Sequence, residues 1–499
     1  MSLLGLDIGT TGCKGIAFSI DGLQLASAYR EYSTLHPCPG WAELDSLEVF
    51  KKVEEVLSEI AHNTKKDPVT AMSISTMGEA VTPVSENREI LGNCILSSDT
   101  RGGEFILPLK EKLGQEAFYE INPNLLGPNY TLPKLKWIQT HQKKLFDKTY
   151  KFLLWGDLTL FMLGLSPVTG FSNANRTLLF DLKKEDWSEE LLALAEISRD
   201  KLPNLAPSGT IAGTIDRKTS AKLGLPPNIT VVVGGHDQCC NSLGAGIFED
   251  KKAVCGIGTF ECITPAFKSI PDSLTMLKTG LNIEHHVIPG LYVSFIYNQA
   301  GTLIRWFRDT FASADKKLVS AGADLYAMLS REMPESPTRL LTLPYFEMTG
   351  SPHFITDAGG VILGLKVSTT RGEILKSLME CETFYFLESI LTLKQMGIDT
   401  SEFIATGGGS KSDYWLQIKA DIFGLPFVRP VIKEASTLGA AILAGLGSGV
   451  FSNVTDAVGR FVKQEKYFEP DMKRHEIYME KYENYKSLYP AVKKILRRL

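Results

Sequence analysis

Two short runs, far apart in the chain, combine residue types that handle phosphate. Leu3-Leu4-Gly5-Leu6-Asp7-Ile8-Gly9-Thr10-Thr11-Gly12-Cys13-Lys14 carries an apolar stretch into a carboxylate, a Gly-Thr-Thr turn and a lysine. Val254-Cys255-Gly256-Ile257-Gly258-Thr259 repeats the apolar stretch and the Gly-Thr, but not the carboxylate. Glycine lets backbone N–H groups approach a phosphate closely, and threonine adds a hydroxyl donor. A carboxylate at a strand end binds Mg²⁺ directly or through water, so Asp7 is the metal candidate, while Thr10, Thr11 and Lys14 would hold phosphate oxygens. Gly258 and Thr259 form the second phosphate turn. Two such turns predict a duplicated fold that pinches a nucleotide between its halves. Phosphoryl transfer is the chemistry this suggests.

Two further clusters add to it. In Gly234-Gly235-His236-Asp237-Gln238, Asp237 follows a Gly-Gly strand end at a helix start, where it can accept the proton of a substrate hydroxyl, with Gln238 orienting that substrate. The same position also suits an N-cap. His236 reads as a packed or hydrogen-bonded side chain. Thr406-Gly407-Gly408-Gly409-Ser410-Lys411-Ser412 is a strand-to-helix glycine run where an adenosine can lie against bare backbone. The pair His285-His286 reads as surface or structural. There is no P-loop, no His-Glu-x-x-His and no Gly-x-Ser-x-Gly turn.

The elements that must position these residues follow from periodicity. Leu3–Ile8, Gly15–Ile20 and Leu23–Tyr29 are apolar strands, the last two joined by the hairpin signal Asp21-Gly22. Apolar residues at Leu47, Phe50, Val53, Val56, Leu57 and Ile60 predict a helix over Ser46–Asn63, capped by Asp45 or Ser46. Val69–Ile74, Thr230–Val233 and Glu402–Ala405 are buried strands. A meander followed by alternating helix and strand indicates an α/β fold with a mixed, ribonuclease-H-like sheet. Small residues over Ser242–Gly246 and Ser436–Ala441 predict two helices that cross closely at the domain junction, suiting a hinge. The segment from about Asp456 is charged, helical in period and expected to pack on the second domain.

The bulk properties bound the answer. A chain of 499 residues exceeds one hydrophobic core, so two domains of roughly 200–250 residues are expected. The boundary is placed in the charged turn Phe248–Lys252, giving domains 1–248 and 249–499. A net charge of −4 gives no drive toward nucleic acid or anionic membrane. No apolar stretch reaches the ~18 residues of a membrane span. The eight cysteines lack CxxC spacing and read as buried thiols in a reducing, cytoplasmic compartment.

These clusters, in this order, resemble the FGGY carbohydrate kinases of the actin-like ATPase superfamily. The resemblance spans residues 1–450 and is most specific at Gly360–Leu365 followed by Glu373–Glu380, similar to the family's C-terminal signature. It implies two duplicated ribonuclease-H-like domains with a nucleotide cleft between them, with ATP and Mg²⁺ as cofactors. The matched positions make Asp237 the base that deprotonates the sugar hydroxyl and Asp7 the metal-associated residue. Thr10, Thr11, Lys14, Gly258 and Thr259 would then face phosphates, and Gly301, Gly408, Gly409 and Ser412 the nucleotide.

On the substrate side, the resemblance points to Met77, Gly78, Glu79, Asp99, Arg101, Asn129 and Gln238. This chain departs from its relatives there. Gly78 stands where xylulokinases typically carry a His, and Glu79 matches only the Glu of the glycerol kinase Arg-Glu pair. Ser97 stands where both groups usually have a Trp, and Asn129 where glycerol kinases have a Tyr. Two bulky walls lost imply a wider, more polar pocket. A ketose or polyol of four to six carbons is the expected substrate, a pentulose such as xylulose first. A glycerol or tetritol kinase is the alternative, as are an actin-like ATPase and a sugar-binding regulator without catalysis. A homodimer is the expected assembly.

Overall fold

The computed structural model describes residues 1–317, 324–431 and 434–498. Its core is two mixed sheets of similar plan. In the first, Ser2–Ile8 pairs antiparallel with Gly12–Ser19, which pairs antiparallel with Gln24–Glu31. On its other side Ser2–Ile8 runs parallel to Val69–Thr76, which runs parallel to Thr230–His236; Ile211–Thr214 closes the edge antiparallel. In the second sheet, Lys252–Ile257 pairs antiparallel with Phe260–Phe267 and parallel with Glu402–Thr406. Phe427–Pro430 continues parallel, and Gln464–Phe468 closes the edge antiparallel. The duplicated ribonuclease-H-like plan thus holds for both halves.

The helix Ser46–Asn63 forms over the residues its periodicity indicates. Asp45 caps it, its side chain accepting from the amides of Leu47 and Glu48 at 3.0 Å each, a contact worth about 1 kcal/mol. Val49, Phe50, Val53, Val56, Leu57 and Ile60 are buried, whereas Leu47 faces solvent in the first turn.

The two small-residue helices are Asp237–Gly244 and Ala435–Gly447, and they cross backbone to backbone. A Cβ on Gly244 would lie 1.8 Å from the Ala435 carbonyl oxygen, and one on Gly439 would lie 1.9 Å from that of Cys240. The Ala435–Gly447 helix also touches the first sheet, where a Cβ on Gly5 would meet the Thr437 carbonyl at 1.7 Å. Only glycine permits these approaches.

Three expectations are corrected or narrowed. The chain after Asp456 is not all helix: Gln464–Phe468 is an edge strand between the helices Val454–Phe461 and Met472–Leu496. Four of its five residues are exposed, so it carries no apolar alternation to read. His285 and His286 are not at the surface; both are buried and neutral, burial pushing their pKa values down to about 4 and about 3. Of the cysteines, Cys38 is exposed and Cys262 half-buried, while the other six are buried. Burial pushes the Cys13 thiol up to about 12, so it is unreactive beside the first turn. Among the described residues no helix is long and apolar enough to cross a membrane.

Candidate active site

Parallel strands end their runs at one edge of a sheet, and in the first sheet that edge gathers the chemistry. Strand register sets Asp7 beside Ser75, and Ser75 beside Gly235. The Ser75 hydroxyl donates to Asp7 Oδ1 at 2.6 Å. Desolvation nevertheless raises the Asp7 pKa to about 6, the nearby Glu434 charge adding to the rise.

Asp237 opens the helix that follows the third strand. It is the first helical residue, with His236 in the cap position, so its carboxylate is not spent on capping. About 29% of the side chain is exposed, and Oδ1 lies 3.2 Å from His236 Nε2. Desolvation raises its pKa to about 7, and the charge of Asp7 contributes next. His236 is buried, held neutral by desolvation, and packed edge-on to Phe295 at 5.3 Å between ring centres. Asp7 and Asp237 therefore share one electrostatic site, in which desolvation makes charge costly and the Asp7 charge adds to the rise at Asp237.

Met77, Gly78 and Glu79 continue from the Val69–Thr76 strand, with Met77 N donating to Ile8 O at 3.1 Å. Glu79 is buried and bonded to Arg176, whose other terminal nitrogen donates to Glu284 at 2.7 Å. Arg176 was not foreseen from the sequence. It follows the short helix Phe171–Asn175 and lies over Tyr130, 4.9 Å from the ring centre. Glu284 comes from the second half of the chain, in a segment fastened to the first half. There Ile283 N donates to Pro123 O, and His285 N to Asn175 Oδ1, each at 2.9 Å.

Asp99 and Arg101 are buried and bonded chiefly to each other. Asp99 accepts from the Ala42 amide at 2.7 Å and from the Arg101 amide and guanidinium; Arg101 also reaches Glu43 at 2.7 Å. Trp41 and Trp137 flank the guanidinium at 3.9 and 4.9 Å. Ser97 is exposed, and Asn129 half-buried next to the buried Tyr130. Gln238 follows Asp237 in the first helical turn.

The nucleotide candidates divide in two. Gly258, Thr259, Gly301, Gly408, Gly409 and Ser412 all line one cavity of about 770 Å³ in the second half. Met379, Tyr326 and Trp415 give it apolar walls. Gly301 must be glycine, since a Cβ there would lie 2.3 Å from the Gly258 carbonyl oxygen. Ser412 also caps the helix Asp413–Phe423, accepting from Trp415 N. Thr10 and Thr11 lie exposed on the first turn, which Tyr32 props by donating to Gly9 O at 2.6 Å. Lys14 is paired with Glu434 of the second half at 2.7 Å.

A two-lobed α/β fold with paired Gly-Thr turns, a carboxylate pair and a roomy nucleotide-sized cavity defines a small-molecule phosphotransferase. The comparisons with known proteins give that class its family. Residues 2–244 match the N-terminal domain, and residues 276–448 the C-terminal domain, of the FGGY family of carbohydrate kinases. The chain belongs to that family and is a carbohydrate kinase, with ATP as the phosphoryl donor the family implies. It is 28% identical to a xylulose kinase of Staphylococcus epidermidis over 99% of this chain and 97% of that protein. An autoinducer-2 kinase of Escherichia coli is also 28% identical, over 98% and 94%. The crystal structure of xylulose kinase from Rhodospirillum rubrum superposes with a TM-score of 0.90 at 26% identity, covering 99% of this chain and 100% of that one.

Proposed function

We propose that this chain transfers the γ-phosphoryl group of ATP to a hydroxyl of a ketose or polyol, a pentulose such as xylulose first. The observation that carries the reading is Asp237. It is a partly exposed carboxylate, free of capping duty, at the sheet edge that also bears Asp7, with a pKa of about 7. A base of that pKa is matched to taking a hydroxyl proton near neutral pH. The full-length likeness to xylulose kinases supports the pentulose preference. Glu79, bonded to Arg176, keeps a glycerol or tetritol kinase as the second reading.

In this reading Asp237 accepts the proton as the sugar oxygen attacks. Met77, Gly78, Glu79, Asp99, Arg101, Asn129 and Gln238 shape the sugar side, with Asp99 and Arg101 acting through the rigid loop they form. Thr10, Thr11 and Lys14 face the phosphates from residues 1–248, the sugar-binding domain. From residues 249–499, the ATP-binding domain, Gly258 and Thr259 face the phosphates too. Gly301, Gly408, Gly409 and Ser412 hold the nucleoside end. Lys14 must leave Glu434 to do so, which ties phosphate arrival to the contact between halves. Such positioning and charge stabilisation are most of what phosphoryl transfer asks of a protein.

The donor set fits Mg²⁺. Among the described residues no three His, Cys, Asp or Glu side chains cluster to cage a metal. Mg²⁺ needs only one or two carboxylates when phosphate oxygens and water complete its shell. Asp7 would hold it, and a divalent cation there would offset the desolvation and neighbouring negative charge that raise the Asp7 and Asp237 pKa values. When bound it neutralises charge on the phosphates.

Replacing Asp237 tests the assignment. Asp237→Asn is expected to lower sugar-dependent ADP formation by about 10³-fold, with sugar affinity by calorimetry changed less than about threefold. Retention of more than about a tenth of wild-type activity contradicts the role, since a positioned base contributes at least about a hundredfold.

A further inference from the structure

We infer that Arg176 is a specificity-determining residue for the sugar and that Gly78 is glycine to make room for it. The inference rests on the sugar-kinase reading above. A Cβ built on Gly78 would lie 2.7 Å from Arg176 Cγ, 3.2 Å from Arg176 Cβ and 3.1 Å from His236 Cδ2. The space a side chain at position 78 would enter is therefore already filled by a guanidinium side chain delivered from a distant part of the chain. The same Cβ position borders His236, the last residue of the strand that precedes Asp237.

Its orientation is built from three sides. Glu79 and Glu284 each take one terminal nitrogen, and the face lies over Tyr130. Planar guanidinium groups are held well by such paired carboxylates and aromatic faces. Glu284 is fixed in turn by Asn282, whose Nδ2 donates to it at 3.0 Å. Among the described residues, three buried polar atoms here have no hydrogen-bond partner: Arg176 Nε, Glu284 Oε2 and His236 Nδ1. A buried donor or acceptor left unpaired costs about 1–3 kcal/mol. A ligand rich in hydroxyl groups, each both donor and acceptor, is the chemistry that satisfies such a set.

The same geometry sets the ligand's charge. Arg176 is shared by Glu79 and Glu284, Arg101 by Asp99 and Glu43, and Lys14 is paired with Glu434. A sugar acid would bring its carboxylate next to Glu79, Glu284 and Asp237 with each of these cations already matched. The substrate class is thus an uncharged polyhydroxylated compound.

Steady-state kinetics on the full chain with ATP test both parts, using D-xylulose, D-ribulose, erythritol and glycerol as neutral probes and D-gluconate as the acid. The wild type is expected to prefer its best neutral probe over D-gluconate by at least about 100-fold in kcat/KM. Arg176→Ala and Gly78→Ala should each raise KM for that probe by about tenfold or more, with kcat changed less than about threefold. In the Arg176→Ala background, Gly78→Ala should add less than about threefold, because the 2.7 Å conflict with Arg176 Cγ is gone and only the looser approaches to Arg176 Cβ and His236 Cδ2 remain. Arg176→Lys keeps the charge without the fork and should raise KM at least about fivefold; it serves if Arg176→Ala does not fold. A wild-type KM in Arg176→Lys, losses that simply add in the double variant, or a preference for D-gluconate overturns the inference. A wild type that phosphorylates none of the probes contradicts instead the sugar-kinase reading on which it rests.

Discussion

The two Gly-Thr turns have the same backbone plan and differ where chemistry is decided. In the first half, register sets Asp7 beside Ser75; in the second, Gly256 takes the place of Asp7 and lies beside Thr406. A Cβ on Gly256 would sit 3.5 Å from the Thr406 hydroxyl, so the second half keeps the hydroxyl and omits the acid. The outcome is a division of labour within one duplicated fold. The first turn lies at an acidic edge with Asp237, where desolvation raises both carboxyl pKa values, the Glu434 charge adding to the rise at Asp7 and the Asp7 charge to that at Asp237. The second turn opens on the 770 Å³ cavity. In the proposed reading, one turn handles the charge of reaction and the other the bulk of the nucleotide.

Removing the acid from the first turn should have the largest effect. Asp7→Asn is expected to lower kcat by about 10²–10³-fold, as loss of a preorganised charge in a phosphoryl-transfer site does. Near-normal kcat would break the contrast between the turns. Importing the acid into the second turn sharpens it: Gly256→Asp should raise KM for ATP on the order of tenfold, about 1.4 kcal/mol of added repulsion. A variant with wild-type KM would mean that the second turn does not face phosphate.

The pH profile reads the same asymmetry. Because a base works only when deprotonated, kcat/KM should level off above about pH 8 and fall toward tenfold per unit below about pH 6, bending at the Asp237 pKa of about 7. The Asp7 charge raises that pKa, so the acid limb of residual activity in Asp7→Asn should move to lower pH. A limb that stays in place separates the two carboxylates. The smallest effect concerns the joint between halves. Gly439→Ala drives a methyl into the Cys240 carbonyl region and should cost about 1–3 kcal/mol in thermal unfolding. An unchanged melting temperature would show that the helices have room to part.

The sequence made the local parts readable. Asp45 and the 3.6-residue spacing marked the Ser46–Asn63 helix, and glycine next to hydroxyl residues marked both turns. The small-residue helices implied the close crossing that Gly244 and Gly439 make. What escaped depends on contacts between distant residues. Arg176 lies 97 positions from Glu79 and 108 from Glu284, and nothing in its neighbourhood marks it as bound to either. The hydrophilic look of His285-His286 hid the buried strand Glu284–His285, because the partner of His285 Nε2 is the Leu182 carbonyl, 103 positions away. Asp99 and Arg101 read as pocket residues, and what the spacing did not show is that the fold binds them to each other, with two tryptophan rings against the Arg101 guanidinium.

The most direct test of the account is ADP release by the wild-type chain with ATP and Mg²⁺, measured with and without each neutral sugar. The account predicts at least about tenfold stimulation by one ketose or polyol, because substrate binding must assemble the site before transfer. ADP release that no sugar or polyol increases would contradict it.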